Sequence, residues 1–138
     1  MLSRDVRQHM QTFGEISQLG TYAALPQIPV NEVQIVWIVE SWDGPRSGVL
    51  LYRGERCWFE VVAENNSDDA GWYRRFAVVE LTREQAAEEQ RWQELFEEKV
   101  GHHPNLQPRD RWPEFYEPYQ HRTPVDVSRN QALGWFER

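Results

Sequence analysis

The chain has 138 residues and a formal net charge of −7, which suits one globular domain, because two domains of half this size would each have a small core. Hydrophobic residues make up 40% and charged residues 27% of the chain, a composition typical of soluble proteins and unlike that of disordered or fibrous ones. The acidic balance disfavours nucleic-acid binding, which needs a basic face, and no apolar run reaches the roughly 18 residues of a membrane span.

Residues 1–30 are predicted to form an N-terminal segment ahead of the core. Three apolar side chains in residues 1–20 share one helical face: Val6, Met10 and Phe13. This spacing predicts either a short amphipathic helix or, as the alternative, a frayed leader. Two prolines then favour an extended connector over residues 21–31, because proline denies a helix both there and at the preceding residue.

Residues 31–100 are predicted to form the core of the domain, a sheet followed by a helix. Alternating apolar residues joined by short turns predict an antiparallel meander, since short connections cannot make parallel crossovers. Its four strands cover residues 33–40, 47–53, 56–64 and 72–81. The first strand is apolar on both faces and is therefore expected to be central and covered on both sides. Residues 65–71 are predicted to be a polar loop.

Thr82 begins the clearest element of the chain. Thr82-Arg83-Glu84-Gln85 matches a capping box, and the helix is predicted to run to Val100 before Gly101 ends it. Most of its surface is expected to be acidic, with Glu84, Glu88, Glu89, Glu94, Glu97 and Glu98. The fold class is therefore predicted to be α+β, a curved antiparallel sheet of four to five strands packed against one long amphipathic helix.

Residues 101–138 are predicted to form a C-terminal strap rich in proline and aromatic residues, so that residues 1–138 make a single domain. Five prolines within residues 101–124 exclude a long helix, and one helical turn is expected at residues 114–119. The aromatic residues of the strap are Trp112, Phe115, Tyr116 and Tyr119. The last segment is predicted to add a short strand around residues 133–136.

Several residues invite a catalytic or metal-binding interpretation, but none forms a known constellation. Adjacent His102 and His103, with His121, rarely converge on one zinc ion, and no paired-cysteine motif accompanies them. Cys57 lies mid-strand among apolar neighbours, where a buried thiol is expected. The carboxylates at strand ends, which are candidates for a glycosidase pair, are Glu40, Asp43, Glu60 and Glu64. The sequence predicts no metal, cofactor or catalytic residue, and it weighs against an enzyme.

The chain is rich in aromatic residues, with seven tryptophans, five tyrosines and six phenylalanines. Such a surplus marks interfaces or pockets; alternatively, the rings fill a thin core. The candidate binding residues are Trp42, Asp43, Trp58, Trp72, Trp112, Phe115, Tyr116 and Tyr119. The turn Trp42-Asp43-Gly44-Pro45 is the most suggestive of these sites, because a tryptophan at a turn is often exposed to a partner. The alternative is a tryptophan folded back over the sheet edge.

A family likeness rests on one run of motifs: Trp42-Asp43-Gly44-Pro45, Gly48-Val49, Tyr52, Gly54, Trp58-Phe59, and Leu81-Thr82 before a helix with Trp92 and Phe96. Over residues 35–100 the chain resembles a group of small uncharacterised bacterial proteins. The resemblance implies a bacterial, cytoplasmic protein and brings no activity, cofactor or partner. A single cysteine, which excludes an internal disulfide, and the absence of a secretory signal pattern also favour the cytoplasm.

Three classes of function follow, and the leading one is a non-enzymatic protein-interaction module of the immunity, inhibitor or accessory-subunit type. Its partner is expected to be a protein, with a basic surface as the natural complement, and a homodimer is an alternative. The second class is a small-ligand-binding domain or enzyme whose tryptophan-lined pocket holds Trp37 or Trp58 with Glu40 or Glu60. The third is nucleic-acid binding through a local arginine patch, which the charge disfavours. No membrane partner is expected.

Overall fold

The computed structural model of the protein describes residues 22–67, 71–101 and 112–138. After a short 3-10 turn, the elements are β1 (Val33–Ser41), β2 (Pro45–Tyr52), β3 (Glu55–Ser67), β4 (Gly71–Glu80), α1 (Arg83–Lys99), α2 (Trp112–Tyr119) and β5 (Ala132–Glu137). The α+β class is confirmed, but the single long helix is wrong, because the described chain forms two helices, of 17 and eight residues. The helix or leader predicted for residues 1–20 lies outside the described residues.

Contacts divide the chain into two compact units. The sheet unit comprises the described parts of Met1–Leu81 and Arg129–Arg138, and the helical unit comprises those of Thr82–Ser128. The division falls inside residues 31–100, for which one sheet-plus-helix core is predicted. The packing of the helix on the sheet stays a prediction.

The sheet is a five-stranded antiparallel meander in the order β1-β2-β3-β4-β5. Short turns explain the order of the first four strands, because a tight hairpin returns the chain beside the strand that it has just left. Residues 81–131 separate β4 from β5. Arg53 and Gly54 connect β2 to β3 with φ angles of 54° and 80°, the conformation that two-residue hairpins favour. The predicted meander is therefore confirmed.

β1 lies at an edge of the sheet, so the prediction of a central first strand is wrong. The pairing of β1 with β2 shifts register three times, which leaves Val36, Val39 and Arg46 without directly opposed partners. Each bulge re-aims the side chains around it, so a run of apolar residues at this edge does not imply a strand flanked on both sides. Bulges also discourage another chain from pairing with an edge strand.

β3 is longer than predicted. Asn65, Asn66 and Ser67 were expected in a polar loop, but they pair with Tyr73, Trp72 and Gly71 and continue the strand. Polar residues can extend a hairpin beyond its apolar part, because the backbone ladder does not depend on side-chain burial. The connection between β3 and β4 is therefore shorter than the sequence indicates.

One face of the sheet, here called the core face, carries the buried apolar cluster of the sheet unit. Its buried cluster consists of Ile28, Leu50, Cys57, Phe59, Val61, Phe76, Val78 and Phe136. The Phe76 ring stacks on Phe136 with centroids 5.1 Å apart and meets the edge of Phe59 at 5.6 Å. Gly48 lies beneath the Phe59 ring, and a Cβ there would strike the Trp37 carbonyl oxygen, so only glycine fits this close approach.

The second edge strand, β5, is covered by the connector that precedes β1. The Ile28 N–H donates to the Trp135 carbonyl at 2.6 Å, and the Trp135 N–H donates to the Pro26 carbonyl at 3.1 Å. These bonds place Gln27 beside Trp135 as a parallel bridge. The predicted connector is extended over residues 26–29, where it satisfies backbone groups that an open edge would expose. Residues 22–25 and Val30–Glu32 instead form turns, so the prediction of an extended segment is confirmed only in part.

The helical unit begins with the predicted capping box. Thr82 Oγ1 accepts a hydrogen bond from the Gln85 N–H at 3.1 Å, and Gln85 Oε1 accepts one from the Thr82 N–H at 3.0 Å. Phe115 of α2 is 1% exposed and lies edge-on to Phe96 at 5.1 Å. The strap is thus ordered around residues 112–119, and it is a helix rather than one turn. Neither described helix has the length and apolar character that crossing a bilayer requires.

Candidate functional site

The connection between β1 and β2 projects Trp42 into solvent, where the residue is 50% exposed. Asp43 and Gly44 adopt φ angles of 53° and 109°, and the chain reverses within three residues. The Trp42 N–H and the Ser41 hydroxyl both donate to the Gly44 carbonyl, at 2.9 and 3.1 Å. The predicted turn is therefore confirmed, and half of its tryptophan is available for contact.

A buried arginine of β4 holds this turn. Arg74 is 4% exposed, and its guanidinium donates to the carbonyl oxygens of Trp42, Gly44 and Pro45. Arg74 Nε also donates to Glu64 Oε2 at 3.1 Å, and both side chains of this ion pair are buried. Since a buried charge needs a partner and hydrogen bonds, Glu64 neutralises the arginine that fixes the backbone of the turn.

A cleft of about 240 Å³ opens beside the turn. It is lined by Asp43, Gly44, Pro45, Arg74, Phe76 and Arg138. Its volume is below the roughly 300–1,000 Å³ that small-molecule pockets occupy. The cleft is therefore smaller than most sites that enclose a whole ligand.

The opposite side of the sheet, here called the tryptophan face, contains a polar row. Glu40 of β1, Ser47 of β2 and Glu60 of β3 are cross-strand neighbours in register. The β2 bulge places Arg46 beside this row, where its Nη1 donates to Glu40 Oε1 at 2.8 Å. The Arg46 side chain is buried, whereas the Glu40 side chain is 55% exposed. The row therefore has one end in solvent.

Glu60 is the residue of this row whose pKa is shifted. Burial raises the pKa of Glu60 to about 7. The hydrogen bond from Trp58 and the Arg46 charge lower this pKa, and the Glu40 charge raises it further. Within the described residues, the Arg46 Nε–H is buried and has no hydrogen-bond acceptor. A buried acid with a raised pKa is an arrangement found at functional sites.

The predicted binding residues occupy different environments. Trp42 and Asp43 are exposed at the turn, Trp58 is buried on the tryptophan face, and in the helical unit Phe115 is buried, Tyr119 half-buried and Tyr116 exposed. The side chains of Trp72 and Trp112 lie outside the described part of the structure. The sheet unit thus groups Trp42 with Asp43, and the helical unit groups Phe115 with Tyr116 and Tyr119 through ring contacts.

The four candidate carboxylates also lie in different parts of the sheet unit. Glu40 and Glu60 share the tryptophan face, while Glu64 is committed to Arg74 and Asp43 belongs to the turn. Sequence reasoning missed Arg46 and Arg74, because arginine is common throughout the chain. One signal for Arg74 was present, since it alternates with two apolar residues that share its face of β4: Phe76 and Val78.

The remaining candidates show no assembled reactive centre within residues 22–67, 71–101 and 112–138. No group of three or more metal-ligating side chains converges there, and His102 and His103 lie outside this part of the chain. Cys57 is 2% exposed, and burial, together with the charges of Glu55 and Glu80, raises the pKa of its thiol to about 11. The buried thiol expected from the sequence is confirmed.

Comparisons of the chain with models of protein families, with curated proteins and with solved structures find no match. The resemblance to a group of small bacterial proteins therefore stays a prediction.

Proposed function

We propose that this protein is a non-enzymatic protein-interaction module that binds its partner through the Trp42 turn. The observation that supports this is a half-exposed tryptophan on a turn whose carbonyl oxygens are held by the buried Arg74. An aromatic anchor on an ordered backbone loses little conformational freedom on binding. Tryptophan is also among the residues that contribute most to interfaces.

The charges around the turn favour a basic partner. The chain has a net charge of −7, and both Asp43 and the Glu40 side chain are exposed near Trp42. Complementary charge speeds the encounter and disfavours acidic competitors. Ile38 of β1 is also exposed, at 42%. An immunity, inhibitor or accessory-subunit role fits a surface of this kind.

The test is recovery of a partner from the native host with tagged wild-type protein and with Trp42→Ala. Loss of a central tryptophan typically costs about 2–4 kcal/mol of binding, so bound partner should fall at least about 30-fold. Tyr116→Ala is the matched control, because Tyr116 is similarly exposed, at 42%, but lies in the helical unit. Urea unfolding verifies that both variants remain folded.

Equal recovery with wild type and Trp42→Ala contradicts the proposal, as does recovery of no partner at moderate salt. Light scattering of the purified wild-type protein tests whether the chain forms a homodimer. A dimer that Trp42→Ala dissociates would identify a second copy of this chain as the partner, whereas a dimer that survives the substitution would place its interface elsewhere.

A further inference from the structure

We propose that a cavity at one end of the core face binds a small organic cation, a primary ammonium with an apolar substituent. The cavity has a volume of about 390 Å³, which lies within the roughly 300–1,000 Å³ of small-molecule sites. It is formed within the sheet unit, by the connector, the β2–β3 hairpin and β5. Its lining residues are Pro26, Tyr52, Arg53, Glu55, Cys57 and Leu133.

The register of the sheet brings an aromatic ring and a carboxylate to this cavity. Tyr52 is directly opposite Glu55, and Leu50 is directly opposite Cys57. Because side chains alternate along a strand, Tyr52 and Glu55 share the core face with Cys57. Directly opposed residues of antiparallel strands have Cβ atoms roughly 4.5–5.5 Å apart. A ligand in the cavity can therefore contact the ring and the carboxylate at the same time.

The interior of the cavity is apolar. Cys57 is 2% exposed and belongs to the buried cluster against which Tyr52 and Leu133 pack. Pro26 lines the cavity from the connector, which is fixed to β5 because the Pro26 carbonyl accepts a hydrogen bond from the Trp135 N–H at 3.1 Å. An apolar substituent of the ligand would leave water on entering this interior, and this transfer favours binding in proportion to the area buried.

The charges at the cavity favour a cation. Within the described residues, the exposed Glu55 carboxylate forms no ion pair. Glu80 of β4 is directly opposite Cys57, and burial, followed by the charges of Glu55 and Glu80, raises the pKa of the Cys57 thiol to about 11. Two negative charges thus act on the interior, whereas Arg53 is the one cation among the lining residues. This field attracts a cation and repels an anion.

Tyr52 provides a ring surface that already holds one cation. The Arg53 guanidinium lies 5.0 Å from the centroid of the Tyr52 ring, within the distance of a cation–π contact. Arg53 is exposed, so its side chain can turn into solvent when the ammonium of a ligand takes its place between the ring and Glu55. Arg53 is therefore an internal competitor of the ligand.

Phenethylammonium is the probe, and isothermal titration calorimetry with the full chain at physiological ionic strength measures its affinity. We expect saturable binding at one site per chain. Two analogues of similar size test the role of the charge, because 3-phenylpropionate is an anion and 2-phenylethanol is neutral. Neither forms a charge-assisted hydrogen bond with Glu55, so both should bind at least about tenfold more weakly.

Three variants test the residues, once circular dichroism has verified their fold. Glu55→Gln should weaken phenethylammonium binding about tenfold, because it removes the ion pair. Glu137→Gln is the matched control and should bind as wild type does, because it removes the same charge from the tryptophan face, where Glu137 pairs with Arg75. Arg53→Asn should strengthen binding about two- to fivefold, because it removes the competing cation. Asparagine also tolerates the φ of 54° at this position.

The test is independent of the one proposed for the protein partner. Trp42 lies in the hairpin at the other end of the strands, so Trp42→Ala should bind phenethylammonium as wild type does.

Several results would overturn the proposal. The absence of saturable heat with phenethylammonium would exclude this class of ligand. Stronger binding of 3-phenylpropionate would assign the cavity to an anion, and equal binding of 2-phenylethanol would show that charge is not recognised. An equal loss of affinity in Glu55→Gln and Glu137→Gln would attribute binding to the net charge of −7. Weaker binding by Arg53→Asn would show that the guanidinium holds the ligand instead of competing with it.

Discussion

Replacing Glu60 by glutamine should stabilise the protein in alkaline solution and leave it nearly unchanged in acid. Burial raises the pKa of Glu60 from 4.5 to about 7 in the folded chain. Between these values the folded state retains a proton that the unfolded state has lost, so the free energy of unfolding falls as the pH rises. One pKa unit corresponds to about 1.36 kcal/mol. The ionised carboxylate therefore lowers the free energy of unfolding by about 3 kcal/mol in alkaline solution, or by about 2 kcal/mol when solvent screens its exposed side.

Urea unfolding of wild type and Glu60→Gln at a series of pH values measures this difference. Fluorescence and circular dichroism should be recorded together, because coincident transitions are needed to extract a free energy. The two stability curves should converge near about pH 4.5 and diverge by about 2–3 kcal/mol above about pH 8. Glu137→Gln, in a half-exposed ion pair, should run parallel to wild type. Parallel curves for Glu60→Gln would refute the assignment of a shifted acid in the folded state.

Three further predictions concern buried charges and the thiol. Arg74→Met should lower the free energy of unfolding by about 3–5 kcal/mol, because it leaves the Glu64 carboxylate buried without its partner; a loss below about 1 kcal/mol in urea would contradict this. Arg122→Met should destabilise the helical unit similarly, since Arg122 forms a two-point hydrogen bond with the 1% exposed Glu89, and loss of helical circular dichroism on heating should occur at a lower temperature. Cys57 should react with a thiol reagent only as the protein unfolds; rapid labelling of the native protein at neutral pH would be inconsistent with its burial.

Local patterns predicted most of the secondary structure. Strands and the α1 start follow from signals within a few residues: the period-two alternation, the turn residues and the capping box at Thr82 and Gln85. Such signals depend on backbone geometry and neighbouring side chains, so they are readable in one sequence. The place of β1 at the sheet edge depends on register with β2 and on three bulges, which alternation along one strand does not encode.

The candidate sites were harder to predict because their partners are distant in sequence. Glu89 was expected on an acidic, solvated helix surface, yet it is buried and pairs with Arg122, which lies 33 residues further along the chain. Arg74 is likewise 32 residues from Trp42, whose carbonyl oxygen it binds. A glutamate on a helix has the same local pattern whether it faces water or a buried guanidinium. Only the fold determines which charges meet.

The β1–β2 hairpin shows why Trp42 is better explained by binding than by packing. Arg74 holds the turn carbonyls, and Arg46 links β2 to Glu40 of β1, so polar contacts stabilise this end of the sheet. A tryptophan that stabilised the fold would be buried, as Trp58 is. Trp42→Ala should therefore lower the free energy of unfolding by less than about 1 kcal/mol, as expected for a surface site, while abolishing partner binding. If it destabilises the protein as much as Arg74→Met does, Trp42 is a packing residue and the proposed interaction loses its main support.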